Sequence, residues 1–503
     1  MWSEKILGKR EVLVFFICTS LVYIFPFVHA DYAYVDDNWR SLLLADESWR
    51  THGRLLLEGL TKFLAFNNAT INIFPLPLLI ATLAVALAMC RLTWWYFPQP
   101  GLAACLVVLP MLCNPFFLGN ITYQYDGPGM MLALAAAISA VTLDIRNIYF
   151  RGLSSAMLVV VILSLYQLTI TVFVGLIFVE CVWGVRNKKA PLDVLWIFFQ
   201  RVLQLAVGGV VYYLTIFQMA ISRRMDSTFS DPQWLDGMSR KFVFSIDKVL
   251  ELVTAGNLYF SVVLLLVAGV GYVWLMISVL QLNGRRREKA LVFLVCLCVI
   301  PVLIVGIPGA MLLAAEPHLE ARNYLGFSVV LFLLFLLNYE FLGRVWHGLR
   351  LLLIIPVLCM FSFCYAYGQV IVAKKEFEMA LATFVAYDIV TTPELREANI
   401  FYLITRRGEG NWLPSGQGTM SYMPVLRYIL SDSNKLLYPH FLTRLGINTV
   451  VDGERQVFEA ALSASKTSQP LLDRKFYSIY VTEAGNYILM KNIVDYEGYI
   501  EQP

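Results

Sequence analysis

Charge is scarce in this 503-residue chain: Asp, Glu, Lys and Arg together make up 15% of it, and there are only five histidines. The formal net charge of +3 is too small to point to a nucleic-acid partner. No GxGxxG, P-loop or GxSxG stands in a convincing strand–turn–helix context. The nine cysteines, all in or beside apolar stretches, show no paired CxxC spacing, and they read as small apolar side chains on helices. None follows Cys364, so the tail tolerates an oxidising compartment without needing disulfides. Internal repeats, which transporters usually show, are lacking, and so is a low-complexity linker.

What is abundant is apolar surface. The chain is 58% hydrophobic with a mean hydropathy of +0.66, which excludes a soluble globular domain of this size. Runs of about 18 or more apolar residues recur, the length a helix needs to cross a bilayer. About eleven helical spans are predicted by this criterion. They lie near 12–30, 71–90, 101–119, 127–143, 152–167, 168–185, 200–221, 257–282, 290–314, 325–343 and 349–370. Lys5, Lys9 and Arg10 precede the first run, but no clean small-residue cleavage site follows it, so it is expected to stay as an uncleaved span.

With the N-terminus inside, each inside segment carries Lys or Arg, from Lys5, Lys9 and Arg10 through Arg285, Arg286, Arg287 and Lys289 to Arg344 and Arg350. The positive-inside rule favours that orientation. An odd span count then puts a long first loop, 31–72, and the C-terminal tail outside. Residues 1–370 read as a transmembrane domain and 371–503 as a separate domain. In the tail, 399–405, 447–452, 476–482 and 486–492 read as strands, with a hairpin turn at Glu483-Ala484-Gly485. Helical stretches near 375–390, 421–431, 438–445 and 454–465 separate the others, giving a small α/β domain.

The candidate chemistry lies in the outside loops. Asp36 and Asp37 follow the first span directly, and carboxylates at a membrane edge are costly to keep without a role. Arg40 is within helical reach of either. The pair reads equally as a solvated helix N-cap. Trp39, Leu42, Leu43 and Trp49 recur at helical spacing, which predicts an amphipathic helix lying at the interface. Beyond it, His52-Gly53-Arg54 combines a residue suited to a tight turn with a planar fork of donors for phosphate or carboxylate.

Tyr123-Gln124-Tyr125-Asp126 is the type of aromatic, amide and carboxylate set that binds sugars, though such residues also populate interfacial belts. Two short helices must meet at Tyr166-Gln167, where the glutamine either caps a helix or holds a polar ligand. Glu316-Pro317-His318-Leu319-Glu320-Ala321-Arg322-Asn323-Tyr324 is the densest polar cluster at an outer edge. Glu316, His318 and Glu320 alternate and could hold a divalent metal, though no motif requires one; no other cofactor is indicated. Glu180 and Arg201, deeper in adjacent spans, read as a structural pair. Glu340 and Arg344 have i,i+4 spacing and carry no function.

The acidic first loop resembles that of the membrane-embedded GT-C glycosyltransferases. Four segments taken in order, Asp36-Asp37-Asn38-Trp39-Arg40, Gly53-Arg54-Leu55-Leu56, Leu165-Tyr166-Gln167 and Arg322-Asn323-Tyr324, are similar to the bacterial serotype-converting O-antigen glucosyltransferases, the GtrII-like group of polytopic Gtr proteins. The likeness covers most of 10–370; the tail agrees only in position and size. It implies a GT-C-like α-helical polytopic protein of the bacterial inner membrane, N-terminus cytoplasmic and C-terminal domain periplasmic. It implies glucose transfer from undecaprenyl-phosphate glucose to the O-antigen of lipopolysaccharide, with inversion, and a donor synthase and a flippase in the same pathway. Asp36 or Asp37 would be the base, Arg54, Arg322 and Arg40 the partners of the donor phosphate. His52, Tyr123, Gln124, Asp126, Tyr166, Gln167, Glu316, His318, Glu320 and Tyr324 would bind substrate. Other GT-C activities, such as aminoarabinose transfer to lipid A or protein mannosylation, and a flippase or transporter of lipid-linked sugar are the alternatives, with a non-catalytic assembly factor behind them.

Overall fold

The computed structural model describes residues 5–43, 48–220, 228–315, 319–405, 413–430, 436–453, 455–483 and 485–491. It divides into two units: Met1–Asp31 with Leu43–Tyr365, and Tyr32–Leu42 with Ala366–Pro503. The first loop is thus split, with Asp36, Asp37 and Arg40 in the second unit and His52 and Arg54 in the first.

The first unit is helical throughout. Its main helices are α1 Lys9–Ala30, α2 Leu55–Ala65, α3 Leu76–Tyr96, α4 Asp126–Val141, α5 Ile148–Leu165, α6 Ile170–Arg186, α7 Pro191–Leu214, α8 Trp234–Leu250, α9 Leu258–Leu280, α10 Arg286–Val305 and α11 Phe327–Val345. A further helix, α12, runs Ile354–Thr391. All eleven apolar runs are helical, but they are not eleven equivalent spans. Among the described residues nine helices are long and apolar enough to cross a membrane, or ten if one bent pair counts.

That bent pair is the run expected at 101–119. It breaks into Leu102–Cys113 and Pro115–Ile121 at an angle of 43°. The cause is local: a residue before proline is pushed out of the α region, and Asn114 sits at φ −57, ψ 122. Its side chain accepts from the Phe116 N–H at 3.0 Å and donates to the Tyr324 carbonyl at 3.2 Å, so the break is tied down. The other exception is α4, at 16 residues too short to span unaided. It is rich in Gly and Ala, which allow close helix approach, and it packs against α3, α5 and α6. Among the helices of membrane-spanning length, α6 and α11 are the most enclosed and α9 the most peripheral.

The boundary expected near residue 370 is not a break in the backbone. The helix expected at 375–390 is continuous with the last span in α12, whose 38 residues amount to about 57 Å at 1.5 Å per residue. The charges Lys374, Lys375, Glu376 and Glu378 change the composition there, but they favour helix as readily as the leucines before them.

The second unit carries a five-stranded sheet of order β2-β1-β5-β4-β3, with β1 Phe401–Ile404, β2 Val450–Asp452, β3 Leu472–Asp473, β4 Tyr477–Thr482 and β5 Gly485–Met490. β1 pairs in parallel with β2 and β5; β4 pairs antiparallel with β5 and β3. The register sets Phe401 opposite Val450 and Asn486, and Tyr477 opposite Met490. The helix Arg455–Thr467 packs on β1 and β4. The four predicted strands are present. The two-residue β3 went unpredicted.

Candidate functional site

In the first unit the polar residues of the outer loops gather around Arg54. Its Nη1 donates to Asp126 Oδ1 at 3.2 Å, and the same oxygen accepts from Trp49 Nε1 at 2.9 Å. Asp126 is 2% exposed and opens α4, where the helix dipole favours a negative charge. The Arg54 guanidinium lies over the Tyr166 ring, 4.9 Å from its centre. Its Nε is buried and has no hydrogen-bond partner among the described residues.

The turn that presents Arg54 is held by backbone contacts. Gly53 has φ +72, a conformation that glycine adopts without the strain a side chain brings. A Cβ there would lie 2.5 Å from Tyr212 Oη. Tyr212 Oη donates to the Gly53 carbonyl at 3.1 Å, and Gln167 Nε2 donates to the His52 carbonyl at 2.8 Å. Tyr166 is extended, φ −155 and ψ 105, between α5 and a 3-10 turn at Gln167–Thr169. That break aims both Tyr166 and Gln167 at the loop. Gln167 therefore positions the turn.

Arg322 belongs to the same neighbourhood. It donates to Tyr123 Oη, lies over the Tyr123 ring at 5.1 Å, and pairs with Glu320. The charges of Arg322, Arg54, Glu320 and Asp126 all bear on the Tyr166 phenol. Tyr324 donates to Ser245 Oγ at 3.0 Å, holding α8. Gln124 donates to Asp31 Oδ1 at 2.9 Å and accepts from Asn72 at 2.9 Å. Seven of the predicted residues, Arg54, Tyr123, Asp126, Tyr166, Gln167, Glu320 and Arg322, thus fall in one connected region. Glu316 and His318 lie outside the described residues. Among the described residues no group of three or more His, Cys, Asp or Glu could hold a metal.

The aspartate pair is described within the second unit. Asp36 and Asp37 differ sharply. Asp37 is fully buried and accepts from the Tyr34 N–H at 3.0 Å, closing the turn that starts the helix Asp37–Arg40. The Asp36 side chain is 33% exposed; its contacts are long, 3.4 Å from Trp39 Nε1 and 3.8 Å from Arg40 Nη2. Arg40 is buried and stacks over Trp39 at 4.8 Å. The reading of the pair as a solvated helix N-cap does not hold for Asp37, which is buried.

The amphipathic helix expected through Trp39 and Trp49 is not continuous. Single turns at Asp37–Arg40 and Ser48–Thr51 stand in its place, and Asp46 and Glu47 lie outside the described residues. Trp49 is 1% exposed; its indole N–H is drawn inward by the Asp126 carboxylate. Sequence reasoning also missed Glu58, buried and paired with Arg50 at 2.8 Å and Lys62 at 2.6 Å, although Glu58–Lys62 has the i,i+4 spacing that signals such a pair. Tyr212, 159 residues from Gly53, left no local signal. Glu180 and Arg201 do pair, at 2.9 Å, and Arg201 also donates to the Ala140 and Val141 carbonyls. Glu340 pairs with Arg186 at 2.7 Å, while Arg344 stacks on Trp274.

The long apolar helices are those of the class of polytopic membrane proteins, and in this chain Arg54 and Arg322 are each paired with a carboxylate and stacked on a tyrosine. The comparisons narrow the class. The family model described as Glucosyl transferase GtrII matches residues 25–337, more than half of the chain and every candidate residue discussed above. The chain belongs to the GtrII glucosyl transferase family. It is 26% identical over 205 residues to an uncharacterized 55.3 kDa protein in the gtrB 5′ region of Salmonella phage P22; the match spans 41% of this chain and 42% of that relative. No solved structure matches the chain.

Proposed function

We propose that this protein transfers glucose from undecaprenyl-phosphate glucose to a sugar of the lipopolysaccharide O-antigen, at the periplasmic face of the bacterial inner membrane. In this reading the N-terminus is cytoplasmic and the C-terminal domain periplasmic, and the reaction modifies serotype with inversion at the glucose anomeric carbon. A separate synthase would make the donor and a flippase would turn it over. The observation that carries the reading is the pair of arginines, Arg54 stacked on Tyr166 beside Asp126 and Arg322 stacked on Tyr123, in a chain of a glucosyl transferase family.

The chemistry follows from the leaving group. Breaking the bond between the anomeric carbon and the phosphate oxygen leaves a dianionic lipid phosphate. Arginine offers five N–H donors in a planar fork. Arg54 donates to Asp126, and Arg322 donates to Tyr123 and pairs with Glu320; in this reading the two guanidiniums meet the phosphate oxygens of the donor. Charge-assisted bonds of this kind are about twice as strong as neutral ones. Tyr123 and Tyr166 are buried beneath those arginines and set where the two guanidiniums lie.

An inverting transfer also needs a carboxylate to take the proton from the acceptor hydroxyl, attacking in line with the departing phosphate. We assign that role to Asp36, whose carboxylate is accessible, and give Asp37 the structural role of closing the turn. Asp126 is the next candidate. The test is to incubate purified protein with undecaprenyl-phosphate bearing labelled glucose and with lipopolysaccharide. Label is expected in the polysaccharide only when both substrates are present; no incorporation with both present overturns the proposal.

A further inference from the structure

An apolar groove of about 390 Å³ lies between α6, α10 and the segments flanking the start of α11. That is within the roughly 300–1,000 Å³ usual for small-molecule sites. Ile170 and Val174 of α6 form one wall, and Pro301 and Val305 of α10 form the other. Thr171, Val302, Leu303 and Ala310 add to the lining, and glycines supply the remainder. Gly309 and Gly326 line the groove, and neither has room for a side chain. A Cβ on Gly309 would lie 2.4 Å from Thr171 Cγ2, and one on Gly326 would lie 2.1 Å from the Gly306 carbonyl oxygen. A side chain at either position would therefore force apart the segments that form this end of the groove. Pro301, Val305 and Ala310 are exposed, and α10 is apolar along a length that crosses a membrane, so this rim faces lipid.

The groove is continuous in sequence with the arginine cluster. Ile170 follows Tyr166 by four residues, and Gly326 follows Arg322 by four. One end is therefore built from the segments that carry Arg322 and Tyr166, the ring on which Arg54 lies.

We propose that this groove holds the isoprenoid units of the donor lipid nearest its phosphate. The inference rests on the polyprenyl-phosphate glucose reading above and adds where the lipid lies. An isoprenoid chain gains little by leaving a bilayer for an apolar groove, because both are equally apolar. The groove acts by position. A tail laid along α6 and α10 fixes the phosphate against Arg54 and Arg322, and a misplacement of about 1 Å can cost about 10²-fold in rate.

The test uses the reconstituted full chain and two donors, undecaprenyl-phosphate glucose and a glucosyl methyl phosphate that carries no isoprene unit. Val174→Trp and Ala310→Trp fill the groove; Leu266→Trp, on the exposed face of α9, is the control for added bulk at the lipid surface. Expected is a fall in kcat/KM for the long donor at least about tenfold greater than for the short one, with Leu266→Trp showing no such difference. Equal losses on both donors overturn the groove assignment and leave the functional reading standing, whereas a wild-type protein that uses neither donor sinks that reading itself. Should the tryptophan variants fail to fold, the wild-type protein can be photolabelled with a donor carrying a diazirine on its second isoprene unit. Label on peptides holding Ile170–Gly175 or Pro301–Ala310 supports the assignment, and label confined elsewhere overturns it.

Discussion

Replacing Arg54 with alanine should have two separable consequences. Asp126 is 2% exposed and its Oδ1 receives Arg54 and Trp49. Without the arginine a buried carboxylate loses its counter-charge, which typically costs about 3–5 kcal/mol when a buried pair is broken. The Arg54 side chain is 18% exposed, so water can reach part of the gap and the lower end, about 3 kcal/mol, is the better expectation. The stack on Tyr166 adds about 0.5–2 kcal/mol. Arg54→Ala should therefore lower the unfolding midpoint in detergent or nanodiscs and also raise the KM for the lipid donor. The second variant, Arg54→Ala with Asp126→Asn, removes the stranded charge and should recover most of the stability. It should not recover donor use. Arg54→Lys should keep the charge and lose the fork, giving intermediate values of both. Recovery of activity by the double variant would refute the reasoning, because it would show that Arg54 matters only as the partner of Asp126.

Other outcomes follow from the same geometry. Asp36→Asn should cut transfer by about 10²–10⁴ without unfolding the protein, whereas Asp37→Asn, fully buried, should lower the melting temperature. Comparing transfer rate with thermal unfolding for the two separates these effects. Gly53→Ala should cut activity through its positive φ and the clash with Tyr212 Oη; adding Tyr212→Phe should restore only the part due to the clash, read from kcat/KM of the two variants. Arg201→Ala should destabilise the first unit by about 3–5 kcal/mol, since it leaves Glu180 buried, measured as loss of folded protein on heating. In the second unit, bonds from Lys491 and Ser478 hold the Asp473 carboxyl below its usual range. Its contribution is full above the unfolded value, about 3.9, and is lost as pH falls through the depressed folded value. Asp473→Asn should therefore flatten the acid limb of unfolding measured by circular dichroism.

The spans were legible because apolar runs are long and local: every one of the eleven is helical. Their ends were not. A charge-rich stretch at Lys374–Glu378 looks like a boundary in composition yet leaves α12 unbroken, while Asn114-Pro115 breaks a helix inside an unchanged apolar run. The break at Tyr166 was legible because Tyr166-Gln167 is the polar point at which two short apolar spans must meet. Arg54, Asp126 and Arg322 could be singled out as polar residues at membrane edges, but not their partners. Trp49 and Asp126 are 77 residues apart, and an indole at helical spacing reads as an interfacial anchor until the buried carboxylate is seen. Asp36 and Asp37 are identical in chemistry and adjacent in sequence; only the turn at Tyr34 decides which is buried. The strand β3 is two residues long, too short for any alternation to register.

The most direct test of the account is the configuration of the bond that the protein makes. Reconstituted protein would be given undecaprenyl-phosphate β-glucose labelled with carbon-13 at the anomeric carbon, together with lipopolysaccharide. The anomeric signal of the purified polysaccharide would then be read by NMR. The expected product is an α-linked glucose, formed by the wild type and lost in Asp36→Asn. A β-linked product would contradict direct inversion with a carboxylate base, and an α-linked product formed equally by Asp36→Asn would remove Asp36 from the chemistry.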